Sequence, residues 1–597
     1  RNSTYFFQPG IKSRINPNTT KKAVELTYKL APFHAKRLDD IQSLYYSEES
    51  FDDFYYGKGS TYGDIHGSVG ILFEQASSRA LQTDSNQGKL SYAFSVRNQF
   101  MATLGTLDGL VALKNEFLKY HRDFYKTSKD VATKNKIKGY LINLKKNRTR
   151  AQLLLKTLQN HRVKVYNLSK TIAMRGKKFE IGEAVIIPTD QPQTRFIAGT
   201  MEKVTDFEDS LFYDVSAWTL PLAFGVDYYE MKQKPNAFLG SQLKSTLLDG
   251  GQLFGGKANT AYLMPWSRYY NPRSLYKILD RGITPRLTTD SFTAEVSGKE
   301  MKFDKGTIIV PVYQRDALST ISPADVHKLM QEIVESDHVQ IYATNTALTP
   351  QGPDLGGAFQ SVLSKPEVAV LSGDGTSAYG VGEIWHLVNY RMKIPISLLD
   401  ANNLNQSKLS KYNTLILADG SYSQLDSIDV NSLKDWIANG GTLISVQSAS
   451  SWVVEDSLTD EHLLENNEID FDIPYDQIRN VSGAQRIGGA IFNVELDNTH
   501  PVAYGYGKTH PIFRRGTAFF KLSDAPAANV GRYTSSPLIS GYISEEKLDE
   551  MKNTASIISK KQDGGRIIMF ADNPAFRAFW YGTHGLLMNA ILFGKAF

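Results

Sequence analysis

The sequence predicts an α/β protein of several domains, and three observations carry that prediction. From Pro366 onward a rhythm of strand, glycine-rich turn, helix and strand repeats, in "EVAVLSGDGTSAYGVGEIWHLVNYRMKIPISLLDANNL", "NTLILADGSY", "VNSLKDWIANGG" and "TLISVQSASSWV". That rhythm builds a parallel sheet covered by helices. Upstream, "IKGYLINL", "RTRAQLLLKTLQNHR" and "VKVYNL" read as a βαβ element. The chain has 597 residues, more than one core supports, which suggests about three to five domains.

Composition narrows the class. The chain is 41% apolar, 22% charged and 11% aromatic, the balance of a water-soluble globular protein. Net charge is only +5, from 67 Lys and Arg against 62 Asp and Glu. The densest basic run, Lys134 to Arg150, alternates with apolar residues and reads as a solvated helix face, not a nucleic-acid footprint. There is no cysteine. That removes thiol nucleophiles, thiolate metal sites and disulfides, and argues for an exported bacterial protein in the periplasm, on the outer membrane or outside the cell. No stretch is apolar for long enough to span a membrane as a helix. The chain starts at Arg1 without a signal-peptide pattern, so the expectation is a removed signal or a start partway through a longer protein.

Taken in order, three regions are expected. Residues 1–125 mix short strands, glycine turns and helices. A helix capped by Thr19 or Thr20 carries Val24, Leu26 and Leu30 at helical spacing, with Pro32 threatening its middle. Gly70 to Phe73 reads as a short buried strand with Glu74 at its end. Arg97 to Tyr125 reads as one closing helix. Residues 126–360 read as a mixed α/β middle, where "GEAVIIPTDQPQTRFIAGTME" and "GKEMKFDKGTIIVPVY" each place a turn before a Val/Ile-rich strand. Residues 361–597 form the parallel-sheet domain, whose tail returns to strands at 489–497 and in "GTAFFKL" and ends in a helix. No internal repeat is visible.

Four stretches invite chemistry. "SGDGTSAYG" (Ser372 to Gly380) puts glycines between strand and helix, but it lacks the spacing and the lysine of phosphate-binding loops, so it reads as a tight turn of a flavodoxin-like domain. "GGTLISVQSASSWV" places Gln447, Ser448 and Ser450 where a strand enters a helix, with no G-x-S-x-G around them. His462 and Glu465 have zinc-ligand spacing, but within an acidic segment expected to be an exposed helix. In "SEESFDDFYYGKGSTYGDIHGSVGILFEQASSR", Tyr55, Tyr56 and Tyr62 precede the strand that ends in Glu74. A carboxylate at a strand end can move protons, and phenols can hold a substrate terminus or a developing oxyanion.

That last constellation, with "NSTYFFQPGI" before it and "YHRDFY" after it, resembles the zinc carboxypeptidases of the carboxypeptidase A type in their long bacterial form. The resemblance implies that residues 1–125 are the C-terminal part of a carboxypeptidase-like α/β domain. It implies that Glu74 is general base and acid, that Tyr55 or Tyr56 is the mobile substrate-contacting phenol, and that Tyr62 lies near the side-chain pocket. The Pro366 region and "DNPAFRAFWYGTHGLLMNAIL" are similar to a class I glutamine-amidotransferase-like domain without its catalytic cysteine. The family's zinc ligands and substrate-binding arginines precede the stretch matching the start of this chain, so Zn2+ would be held outside it, and its own N-terminal fragment or another subunit is the expected partner. The implied activity is hydrolysis of C-terminal residues from peptides. The alternative expectation is a non-catalytic surface-binding or scaffold subunit.

Overall fold

A computed structural model describes residues 3–78, 80–246, 248–314, 321–465 and 473–597. In the first region, strands β1 (Tyr5–Phe7), β2 (Tyr45–Tyr46) and β3 (Phe73–Glu74) form a sheet in the order β2-β1-β3. β2 runs parallel to β1 and β3 antiparallel to it. The strand expected from Gly70 is therefore two residues long and half-buried. Before it, Leu72 is tied to the sheet through Gln8, whose N–H donates to Leu72 O at 3.3 Å and whose Oε1 accepts from Leu72 N at 2.7 Å.

Helix α1 (Lys21–Asp39) runs unbroken through Pro32, capped by Thr20 Oγ1 accepting from Ala23 N–H. Ala23, Leu26, Leu30, His34 and Leu38 bury one face, and that packing outweighs the roughly 3 kcal/mol that an interior proline costs. The face lies on α2 (Tyr92–Ala112), where a Cβ on Gly105 would come within 2.7 Å of Phe33 O. The single helix expected over 97–125 is two. Leu113 leaves helical geometry (φ −102°, ψ 11°), and α3 (Lys114–Lys126) turns so that Tyr120 and Phe124 pack on Ala23 and Leu26.

The middle region contains a repeat that the sequence pattern does not reveal. β4 (Gly139–Asn143), helix α4 (Arg148–Asn160), β5 (Tyr166–Leu168), a hairpin, β6 (Ala184–Pro188), helix α5 (Thr194–Met201), β7 (Tyr228–Met231) and β8 (Leu239–Gln242) make a sheet ordered β7-β4-β6-β5-β8. After β9 (Gln252–Phe254), the same succession returns in β10 (Ala261–Met264), helix α6 (Asn271–Asp280), β11 (Arg286–Thr288), a hairpin, β12 (Ile308–Pro311), helix α7 (Pro323–Asp337), β13 (Gln340–Thr344) and β14 (Gln360–Val362). Its order, β9-β13-β10-β12-β11-β14, is the first order with one strand added. In both units these four pairings are antiparallel. The two hairpins turn on matching residues, Arg175-Gly176 (φ 46°, 75°) and Ser297-Gly298 (φ 52°, 75°), the left-handed pair that a two-residue hairpin requires. The βαβ reading of 137–168 also changes: β6 lies between β4 and β5.

The C-terminal region is doubly wound. β15 (Val368–Ser372), helix α8 (Ala378–Trp385), β16 (Ile396–Asp400), β17 (Thr414–Leu417), helix α9 (Ser427–Ala438), β18 (Thr442–Val446) and helix α10 (Ser448–Glu455) supply the first layers. Antiparallel β19 (Ala490–Leu496), β20 (Thr509–Arg514), β21 (Asn529–Ser540) and β22 (Ala555–Gln562) follow, then β23 (Gly565–Phe570) and the buried helix α11 (His584–Phe593). The nine strands are ordered β16-β15-β17-β18-β23-β22-β21-β19-β20, the first five parallel. "GTAFFKL" forms no strand; Phe520 makes an isolated bridge to Ala555 of β22, and Ala518 O accepts from the Arg514 guanidinium of β20. No helix among the described residues is long and apolar enough to cross a membrane.

Candidate functional site

Glu74 ends β3, which among the described residues pairs only with β1 and is an edge of its sheet. The residue is half-buried, and among the described residues its carboxylate has no hydrogen bond or ion pair. Beside it a groove of about 470 Å3 is lined by Gln75, Ser78, Tyr92, Val96 and Phe100, with Glu74 itself outside the lining. Tyr92, Val96, Phe100, Leu107 and Val111 leave an apolar stripe of α2 exposed.

The three tyrosines are placed elsewhere. Tyr55 is buried and rests on Trp218, the ring centres 5.1 Å apart. Tyr56 is buried and donates its hydroxyl to Asn16 Oδ1 at 2.9 Å. Tyr62 is partly exposed, with its hydroxyl 2.7 Å from His161 Nδ1. Tyr55 and Tyr56 thus sit in the core joining the first region to the first repeat and to Phe513, Phe576 and Trp580 of the C-terminal region. Burial pushes both phenols above their ordinary pKa. Among the described residues no hydrogen bond or ring contact joins any of the three to Glu74. The same block holds a buried carboxyl pair, Asp53 and Asp64: desolvation pushes Asp53 up to about 6, and burial together with Asp53 pushes Asp64 up to about 9.

A second site lies where the parallel strands end. Counted along the chain, the five parallel strands stand in the order 2-1-3-4-5, and in such sheets ligands bind beyond the carboxyl ends of the strands where the order reverses. A cleft of about 1400 Å3 opens there, lined in part by Ser377, Glu383, Asp419, Gln447, Arg515 and Arg577. Gln447, at the junction of β18 and α10, has φ 54° and ψ −124°, a conformation that costs a non-glycine residue about 1–3 kcal/mol. Its N–H donates to Phe570 O at 2.9 Å, and its side chain has no hydrogen bond among the described residues. The next residue, Ser448, donates both its N–H and its hydroxyl to Asp419 Oδ1. Ser450 is buried and structural, donating to Phe570 O at 3.0 Å and bonded to Ser445. Across the cleft Glu383 accepts from Asn573 Nδ2 (2.7 Å) and from the Arg577 N–H (2.6 Å), and burial raises its carboxyl. Ser372 to Gly380 is the tight turn its glycines suggested, with Ser377 capping α8.

The acidic segment does not become a helix within the described residues: His462 is exposed, Leu463 makes an isolated bridge to Phe520, and 466–472 lie outside the described residues. Among the described residues no three His, Asp or Glu side chains gather as a metal site.

No protein-family model matches this chain, and no curated protein sequence does. Three solved structures similar to it each cover a little over a third of the chain. A protein from Thermoplasma acidophilum assigned provisionally to GMP synthase is 10% identical over 38% of this chain and 92% of its own, with a TM-score of 0.25. A ThuA-like protein from Bacteroides uniformis is 13% identical over 37% and 88%, TM-score 0.26. A glutamine amidotransferase from Thermotoga maritima is 10% identical over 37% and 96%, TM-score 0.24. The assignment of an α/β fold with a doubly wound, flavodoxin-type sheet therefore rests on this chain's own strand order.

Proposed function

We propose that this chain is the proton-handling part of an exported zinc metallocarboxypeptidase, with Glu74 as general base and acid. In this reading Glu74 takes a proton from the water attacking the last peptide carbonyl and returns it to the departing amine. The observation that carries it is the Glu74 carboxylate itself, half-buried at the end of an edge strand with no partner among the described residues. An unpaired carboxylate can accept a proton from a positioned water. The chain's described residues do not fit a zinc site, so the reading places the ligands on other polypeptide and assigns zinc no step here. The open edge of β3 and the exposed apolar stripe of α2 suit such a polypeptide, its own N-terminal fragment or another subunit. Tyr55 and Tyr56, being buried, lend the reading no support; Tyr62 would have to leave His161 to reach a substrate.

In the complete assembly, Glu74→Gln preserves shape and removes the base. Release of C-terminal residues from a peptide falls by about 10²-fold or more; activity at the original rate would overturn the assignment. A second reading is a non-catalytic binding subunit. It is favoured by Gln447, an amide held in a strained strand-to-helix turn over the C-terminal cleft where a nucleophile would otherwise stand. Elemental analysis separates the two, since one zinc per assembly belongs to the first reading and none to the second.

A further inference from the structure

A cavity of about 260 Å3 lies at the junction of the first region, the first repeat and β21, and shares no lining residue with the groove beside Glu74 or with the C-terminal cleft. Four aromatic rings line it: Phe54, Phe207, Phe212 and Trp218. Phe54 meets Phe212 at 77° and Trp218 at 77°, and Phe207 meets Phe212 at 83°, with centres 5.1–5.7 Å apart. Rings set at such angles meet edge to face and form a corner instead of a flat stack, so each pair covers one face and leaves the other ring's faces to further neighbours or to the cavity. Trp218 is fixed by its indole N–H donating to Gly199 O at 2.8 Å.

The polar part of the lining is acidic. Glu202 Oε1 accepts from Asn18 Nδ2 at 2.6 Å, and its other oxygen has no hydrogen bond among the described residues. Asp206, Glu208 and Asp209 also face the space, and the cation among its lining residues, Arg14, is engaged by Asp209 at 2.9 Å. A carboxylate inside aromatic walls and near further acids favours a cation over an anion or a neutral group. The electron-rich ring faces attract an ammonium group, and the carboxylate neutralises it where water is scarce.

We propose that this cavity binds an alkylammonium group, with Phe54, Phe207, Phe212 and Trp218 as its walls and Glu202 as its counter-charge. Two sources share that chemistry, a free amine and the end of a lysine side chain on a peptide, and the volume admits either headgroup. Without a cation, burial holds Glu202's carboxyl up at about 7, so ligand binding near neutral pH also releases a proton from Glu202. The other titratable groups facing the space, Asp206, Glu208 and Asp209, are more exposed or already paired.

The test is calorimetric titration of the whole chain with choline, with its uncharged isostere 3,3-dimethylbutanol, with butylammonium and with a blocked Gly-Lys-Gly peptide. Choline is expected to bind at least tenfold more tightly than the isostere. Glu202→Gln, which keeps the side chain's shape, is expected to weaken choline at least tenfold, Phe212→Ala to weaken it similarly, and Glu208→Gln at the rim to change it less than twofold. Circular dichroism and the melting temperature show that each variant is folded. Tighter binding of the lysine peptide than of butylammonium identifies a peptide as the source; equal or weaker binding identifies a free amine. Choline and its isostere binding equally, neither binding up to tens of millimolar, or full choline affinity in Glu202→Gln would each overturn the proposal.

Discussion

The guanidinium of Arg577 grips Asp214 with two hydrogen bonds, 2.7 and 3.2 Å, while lying 5.2 Å from the centre of the Tyr55 ring. The three residues come from the C-terminal region, the first repeat and the first region respectively, so one side chain fastens all three at the wall of the C-terminal cleft. Arg577 and Ala578 both adopt positive φ (46° and 55°) to make this approach, strain that the grip and the Glu383 contact to the Arg577 N–H offset.

Removing the Asp214 charge while keeping its size, as Asp214→Asn, is expected to cost about 1–2 kcal/mol. That is below the roughly 3–5 kcal/mol for breaking a fully buried pair, because the Arg577 side chain is 35% exposed and partly screened. Urea unfolding of wild type and variant at the same pH measures it; equal midpoints would show that the clasp contributes nothing.

Glu202 makes stability depend on pH. Its carboxyl keeps its proton in the folded state up to about pH 7, because burial disfavours the charge, whereas the unfolded chain releases it near the ordinary value of about 4.3. Between those values the folded state binds more protons, so stability falls as pH rises and levels off above about 7. Glu202→Gln is expected to remove that part of the slope, amounting to at most about 4 kcal/mol. Asp53, Asp64 and Glu383 are raised as well and slope the same way, so the measurement is the wild-type-minus-variant difference in unfolding free energy at pH 5 and pH 7.5. A difference that does not change with pH would mean that Glu202 is not desolvated.

Much of the fold was legible. The Val/Ile runs at 368–372, 414–417 and 442–446 became parallel strands because continuous apolar runs suit strands buried on both faces. Pro32 misled because local propensity gave way to the burial of Ala23, Leu26, Leu30, His34 and Leu38 on one helix face. The tandem repeat stayed hidden because it resides in strand order and in turn conformation, and the residues that specify it, such as Gly176 with Gly298 and Gly182 with Gly306, are few and widely spaced. The Glu74 strand end was legible, but the neighbouring tyrosines were not. "FYY" announces polarity and aromaticity, while its actual role depends on Trp218 arriving from 162 or 163 residues further along. Neither cavity was visible, since each gathers side chains from distant segments. The one local sign was the strand-to-helix junction at Gln447.

The approach to Glu74 has a steric hinge point that can be tested. A Cβ at Gly70 would fall 1.6 Å from Ser60 O, a backbone atom that cannot swing aside, whereas one at Gly59 meets nothing within 4 Å. Gly70→Ala is expected to destabilise the chain by at least about 2 kcal/mol, because the 57–62 turn must move away from the segment leading into β3. Gly59→Ala, in the first turn of a short helix, is expected to be neutral or slightly stabilising. Thermal unfolding of the two variants side by side checks this, and equal melting temperatures would refute the close approach.

Gln447 offers the opposite sign. Its φ of 54° with ψ of −124° is a region that glycine enters freely and other residues enter at a cost. If nothing but folding constrained this position, glycine would be the better residue. Gln447→Gly is therefore expected to raise stability by about 1 kcal/mol, strain relief of about 1–3 kcal/mol exceeding glycine's entropic penalty of about 0.5–1 kcal/mol. Gln447→Ala keeps the strain and is expected to stay within about 0.5 kcal/mol of wild type. Denaturant midpoints of the three proteins decide the matter. A glycine variant less stable than wild type would mean that the glutamine side chain makes a contact strong enough to hold the turn in place, and that the strain at the cleft is there for folding alone.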